Sequence, residues 1–236
     1  MKKYSIEIAQ AIKEHLEEEM KLVAFDEESG SFGFVMHLRG AISFIQYIVK
    51  VHKDDYTVVA ICPVSVDTSN SAMLAKMAEF VTRANYGLKN GNFEMDFRDG
   101  ELRYKCFVDC DEQVPNENMI RNSVLTPAAM MERYACGIIN VLYSGMTAEC
   151  AVEECDNERK LLRKLEEAKR ALESQCRKHY MDAEGEPKQQ DAIMQGSDDA
   201  GLPSYDEYLL MTAEEDAETE DAFEDFSDND GNASVE

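Results

Sequence analysis

The chain has 236 residues, with 24 Lys and Arg against 48 Asp and Glu, a formal net charge of −24 at pH 7. Residues 182–236 hold 19 acidic residues and one basic residue, Lys188, a net of −18 that leaves only −6 for the other 181, so one folded domain with an acidic tail fits better than two domains. That overall balance argues against nonspecific binding to the phosphates of nucleic acid, and no apolar run approaches the roughly 18 residues of a span, so neither nucleic acid nor a membrane is an expected partner.

The N-terminal MKKYSIEIAQ lacks the continuous apolar stretch of a signal peptide, which points to a cytosolic chain. Ile8, Ile12, Leu16 and Met20 recur at steps of four and predict an amphipathic helix over 4–20 that starts near Ser5. Residues 22–25 are apolar and extended in character, and a turn containing Gly30 follows. Runs 32–38, 42–51 and 56–66 are rich in Val, Ile, Phe and Tyr and separated by turn residues, the pattern of an antiparallel meander. Pro63 cannot donate to a ladder, so the third strand should lose pairing there or lie on an edge. Thr68, Ser69 or Asn70 can cap a second helix, in which Met73, Leu74, Met77, Phe80, Val81 and Ala84 repeat at three and four.

Residues 91–109 read as a hairpin. Asp99-Gly100 suits a two-residue type I′ turn, which needs φ > 0 at both positions. That turn would place Phe97 opposite Leu102, Met95 opposite Tyr104 and Phe93 opposite Cys106 on an apolar face. The other face would carry Arg98–Glu101, Asp96–Arg103 and Glu94–Lys105 pairs. The structural residues predicted here are therefore Phe93, Met95, Phe97, Asp99, Gly100, Leu102 and Tyr104. Beyond them, Pro115-Asn116 starts a third helical region, which Thr126-Pro127 should break, since proline removes a helical hydrogen bond. Residues 128–143 are apolar enough to cover a sheet and end at Ser144-Gly145.

Thr147 can cap a last helix running to about Tyr180, with a break near Asp156-Asn157 left open. Within it Leu161, Leu165, Ala168 and Leu172 step by four, three and four, and Glu166–Arg170 and Glu173–Arg177 are favourable pairs. About two heptads are fewer than a coiled coil requires, so the helix is either a solvated one or a partner helix. The following composition, with Gly185, Pro187, Gly196, Gly201, Pro203 and high charge, predicts disorder. Two apolar islands within it, Tyr205, Tyr208, Leu209 and Leu210 and then Phe223 and Phe226, are candidate partner-binding residues.

No catalytic, cofactor-binding or metal-ligating set emerges. The histidines at 15, 37, 52 and 179 have no His or Cys at metal spacing on their own elements, and the seven cysteines include no Cys-x-x-Cys and read as small buried hydrophobes. Gly87, Gly91 and Gly100 do not form a phosphate loop, and Ser43, Ser65 and Ser71 lack a nucleophile elbow.

The run Ala84-Asn85-Tyr86 through Lys89, Gly91, Phe93-Glu94, Asp96, Asp99-Gly100-Glu101 and Arg103-Tyr104 resembles the YbjN family of bacterial sensory transduction regulators. The resemblance covers residues 4–145, leaving 146–181 as a helical extension and 182–236 as the tail. It implies an α+β fold similar to type III secretion chaperones, in the order α-β-β-β-α-β-β-α, small domains that often dimerise and bind proteins without catalysis. The break at Thr126-Pro127 departs from the family's continuous last helix. The expected fold is thus an antiparallel sheet of about five strands with helices on its apolar side. The expected function is non-enzymatic binding of an unknown protein partner, with a homodimer possible and no cofactor. The alternatives are a signalling or transcription regulator acting through a partner, and a small-molecule sensor or enzyme.

Overall fold

The computed structural model describes residues 2–111 and 113–184, without the side chains of 166 and 175–184. The chain divides into two units, Met1–Asp156 and Asn157–Glu236. The first runs α1 (Ile6–Glu19), β1 (Ala24–Asp26), β2 (Ser31–His37), β3 (Phe44–Val51), β4 (Asp55–Ser65), α2 (Ser71–Asn85), β5 (Asn92–Met95), β6 (Glu101–Asp109) and α3 (Glu117–Ile139). A π-helical turn (Asn140–Ser144) and the start of α4 (Ala148–Glu184) complete it.

The strands form one antiparallel sheet in the order β1-β2-β3-β4-β6-β5. The sixth strand, one more than expected, is β1, three residues long and held only by β2. Alternation decides which face is covered. Ile45, Tyr47, Val49 and Val51 of β3, Tyr56, Val58, Ala60 and Cys62 of β4, and Leu102, Tyr104 and Cys106 of β6 all point to one side and are buried. On that side α3 packs against β4 and β6, α2 against β5, and α1 against α3. As expected, the ladder between β4 and β6 is broken at Pro63: pairing runs to Ile61–Arg103 and resumes, shifted, at Ser65–Glu101.

The caps follow the sequence signals. Ser5, Asn70 and Asn116 each accept a backbone N–H three residues on, and Thr147 accepts that of Cys150. Gly145, at φ +76°, closes the π-helical turn before it.

Two expectations fail. The helix does not break at Thr126-Pro127; α3 runs through both. A proline inside a helix costs about 3 kcal/mol, but α3 is buried along one continuous stretch from Ser123 to Met131, and ending it there would expose that surface. Side chains also serve the carbonyls on either side of Ser123, whose usual donor at 127 is missing. Thr126 Oγ1 donates to the Asn122 carbonyl at 2.7 Å, and the wholly buried Tyr47 hydroxyl donates to that of Val124 at 2.7 Å. Tertiary burial therefore overrides the local propensity.

The second failure is the hairpin turn. Asp99 is not among the residues with positive φ; Gly100 alone is, at +75°. Asp96 pairs with Glu101, and the loop is the four residues 97–100, closed by Gly100 N–H to the Asp96 carbonyl at 2.8 Å. Asp96 and Asp99 stabilise this longer loop by accepting the N–H of Arg98 and Glu101 on their carboxylates. The register thus moves by two, to Phe93–Tyr104, Glu94–Arg103 and Met95–Leu102. An even shift keeps every strand residue on its predicted face. It does lift Phe97 out of the ribbon: its side chain is in the loop and 58% exposed, not on the buried face.

In the second unit α4 continues without a break past Asn157. Among the described residues no helix is long and apolar enough to cross a membrane.

Candidate functional site

The helices leave one face of the sheet open, and that face is not uniformly polar. Val35 and Ile48 are 51% and 44% exposed on it. Register sets Val35 beside Gln46 and then Ile61, and Gly33 beside Ile48 and then Val59, so the apolar groups form a patch across β2, β3 and β4. The chain from Met20 to Ala24, leaving α1 and entering β1, rims this patch and carries Leu22, 84% exposed. Between rim and sheet lies an open groove of about 640 Å³ lined by Leu22, Ala24, Val35, Ile48 and Ile61 with Lys21, His37 and Gln46. Gly33 deepens its floor, because a Cβ there would meet only the Tyr47 carbonyl oxygen, at 3.9 Å.

Toward β5 the same face becomes charged. Arg103 lies across from Glu94 and reaches it at 2.7 Å, Lys105 reaches Glu94 diagonally at 3.5 Å, and Glu101 is 3.6 Å from Arg103. Burial pushes the Glu94 carboxyl up, but Arg103 and Lys105 outweigh it and hold the group below its ordinary value. Of the predicted cross-strand pairs only Glu94–Lys105 forms. Asp96 instead pairs with Arg98 in its own loop, which holds its carboxyl down at about 2.

Of the hairpin residues singled out in the sequence, Phe97 lies exposed in the loop. Phe93, Leu102 and Tyr104 are buried, Met95 is half-buried, and Asp99 is exposed with its carboxylate on the Glu101 N–H. Phe93 stands edge-on to both Tyr104 and Tyr134, at 4.9 and 5.5 Å between ring centres, and Phe80 of α2 meets Tyr134 in the same way. The Tyr104 hydroxyl donates to the Asn90 carbonyl at 2.6 Å.

One residue of the hairpin region has a role that the sequence did not disclose. Asn85, the last of α2, donates its side-chain N–H to the Phe93 carbonyl at 2.9 Å and accepts the Phe93 N–H at 2.7 Å. It occupies the outer edge of β5 as a paired strand would. The open apolar face was missed as well, although a signal for it existed. Runs 32–38 and 42–51 carry apolar residues in both alternation sets, Val35 and Ile48 beside Phe34, Tyr47 and Val49.

Among the described residues no group of three or more His, Cys, Asp or Glu could hold a metal ion. Of the six cysteines with described side chains, Cys62, Cys106, Cys110 and Cys155 are buried, and Cys136 and Cys150 are exposed. Burial pushes the thiols of Cys62 and Cys106 up to about 11 and about 12. The candidate tail residues Tyr205, Tyr208, Leu209, Leu210, Phe223 and Phe226 lie outside the described residues, and so do the side chains of Cys176, His179, Glu166 and Arg177, and with the last two the Glu166–Arg170 and Glu173–Arg177 pairs. The chain matches no family model, no curated protein and no solved structure.

Proposed function

We propose that the chain is a non-enzymatic protein-binding module that takes an apolar segment of a partner protein on its open sheet face. The observation that carries this reading is the Val35–Ile48–Ile61 patch, contiguous across three strands and rimmed by Leu22. Apolar side chains held in water at a preformed groove are the ordinary mark of a surface that another molecule covers. The charged strip of Glu94, Arg103 and Lys105 beside the patch would fix orientation, adding specificity more than affinity.

The resemblance to the YbjN family, and through it to type III secretion chaperones, points the same way. Continuity of α3 through Pro127 removes the departure from that family's last helix. Two residues of the motif that carries the resemblance, Asn85 and Phe93, are joined by paired hydrogen bonds, so the motif is one structural unit. In this reading the chain is an adaptor or chaperone-like regulator.

The test is affinity purification of the full chain from its native cell, as wild type and with Ile48→Glu. Ile48 is 44% exposed, so the substitution should leave the thermal melt unchanged. A co-purifying protein lost with Ile48→Glu but retained with Phe107→Ser, an exposed site away from the groove, is the expected result. The same partners in equal amount with both variants would remove the open face from recognition.

A further inference from the structure

The second unit contains an apolar surface that the sheet-face reading does not use. Leu161, Leu165 and Leu172 of α4 are 68%, 66% and 61% exposed. With Ala168 they step by four, three and four along one side of the helix. Helical spacing sets Lys164 on one flank of this stripe and Lys169 on the other, both exposed. Residues 157–180 hold eight Lys and Arg against four Asp and Glu, in a chain whose net charge is −24.

We propose that this basic, leucine-striped face of α4 is the docking site of the chain's own acidic segment around Tyr205, Tyr208 and Leu209. Three observations select that occupant. The first is charge: residues 198–216 carry seven Asp and Glu and no basic residue, the complement of the Lys164 and Lys169 flanks. The second is pattern. Tyr205, Tyr208 and Leu209 are spaced i, i+3, i+4, the spacing with which an apolar face enters a helical groove.

The third is reach. From the end of α4 at Glu184 back to Leu172 and Leu161 is about 18 and about 35 Å at 1.5 Å per residue. The 21 steps from Glu184 to Tyr205 can span up to about 70 Å, so the segment reaches the whole stripe. A tethered segment also acts at an effective concentration of roughly millimolar, which a separate protein would have to match. A second copy of the helix is disfavoured, since parallel pairing on this stripe would bring Lys164 of one copy against Lys169 of the other.

Hydrogen exchange of the full chain tests this. The amides of residues 157–172 are compared in the wild type, in a combined Tyr205→Ala, Tyr208→Ala and Leu209→Ala variant, and in a Lys164→Glu, Lys169→Glu variant. A segment docked about nine-tenths of the time slows exchange by about tenfold, so both variants should exchange about tenfold faster, independently of protein concentration. Equal rates in all three proteins, or an effect in only one variant, would overturn the assignment. So would protection that grows with concentration, which would give the stripe to a second copy.

Discussion

Replacing Gly100 by Ala tests the hairpin assembly at its tightest point. Gly100 holds φ +75°, where an L side chain costs about 1–2 kcal/mol. A Cβ there would also collide with the Val66 carbonyl oxygen and stand 2.8 and 2.9 Å from the Val66 carbonyl carbon and nitrogen. All three are backbone atoms just past β4, so no side-chain rotation relieves the clash. The hairpin tip must withdraw, which breaks the 2.9 Å bond from the Val66 N–H to the Gly100 carbonyl. Val66 is 2% exposed, and an orphaned buried N–H costs a further 1–3 kcal/mol, roughly. The expected loss is about 2–5 kcal/mol. Gly87→Ala is the control, because φ is +91° there but nothing lies within 4 Å of the added Cβ, leaving strain alone at about 1–2 kcal/mol. Urea unfolding of the full chain followed by tyrosine fluorescence reads the difference, since seven of the ten tyrosines lie in the first unit. Equal destabilisation by the two substitutions would refute the contact between the hairpin tip and β4.

Two further outcomes are expected. With a thiol reagent at neutral pH, Cys136 and Cys150 should label in the native protein, while Cys62 and Cys106, buried and with raised pKa, should label only after unfolding, as peptide mass mapping would show. His15 of α1 is 6% exposed and its Nδ1 has no hydrogen-bond partner. Burial lowers its pKa, helped by Arg121 and opposed by Glu19, Glu117 and Glu18. Because the folded value lies below the unfolded 6.5, His15 costs nothing above pH 6.5, and stability falls as the pH drops below it toward the folded value. His15→Gln should flatten the stability profile between pH 7 and 5, and parallel profiles for the two proteins would show that His15 is not the cause.

What the sequence disclosed was what local pattern determines. Ile8, Ile12 and Leu16 at steps of four put α1 where it is, Thr147 could be named as a cap, Asn70 was one of three candidates for that of α2, and Pro115-Asn116 marked the start of α3. The Val-, Ile-, Phe- and Tyr-rich runs between turn residues gave the meander of β2, β3 and β4. The features it withheld depend on distant residues. Pro127 looked like a break because the burial of α3 and the Tyr47 hydroxyl beside it come from elsewhere in the chain. Asp99-Gly100 looked like a two-residue turn, whereas Val66 sits against Gly100 and the carboxylate of Asp96 stabilises a longer loop. The open face was half legible: its residues could be seen to be apolar, but that no helix covers them follows only from the packing of α1, α2 and α3 on the other side.

Recognition is proposed on the open face and not on an edge because of how the sheet's two edges are finished. Strand addition needs a row of unpaired N–H and C=O groups, and an added strand is typically about five or six residues long. The β1 edge offers three residues and ends in the carboxylate of Asp26, which is occupied by the Glu28 N–H and the Ser29 hydroxyl. At the β5 edge, four residues long, Asn85 takes the N–H and C=O of Phe93, and Asn92 donates to the same carbonyl at 3.2 Å. Short strands and side chains that fill an edge are how sheets avoid pairing with other chains. A partner that must bury surface on this domain therefore finds few main-chain groups at either edge and an apolar groove across β2, β3 and β4, which sets side-chain burial rather than ladder extension as the source of binding energy.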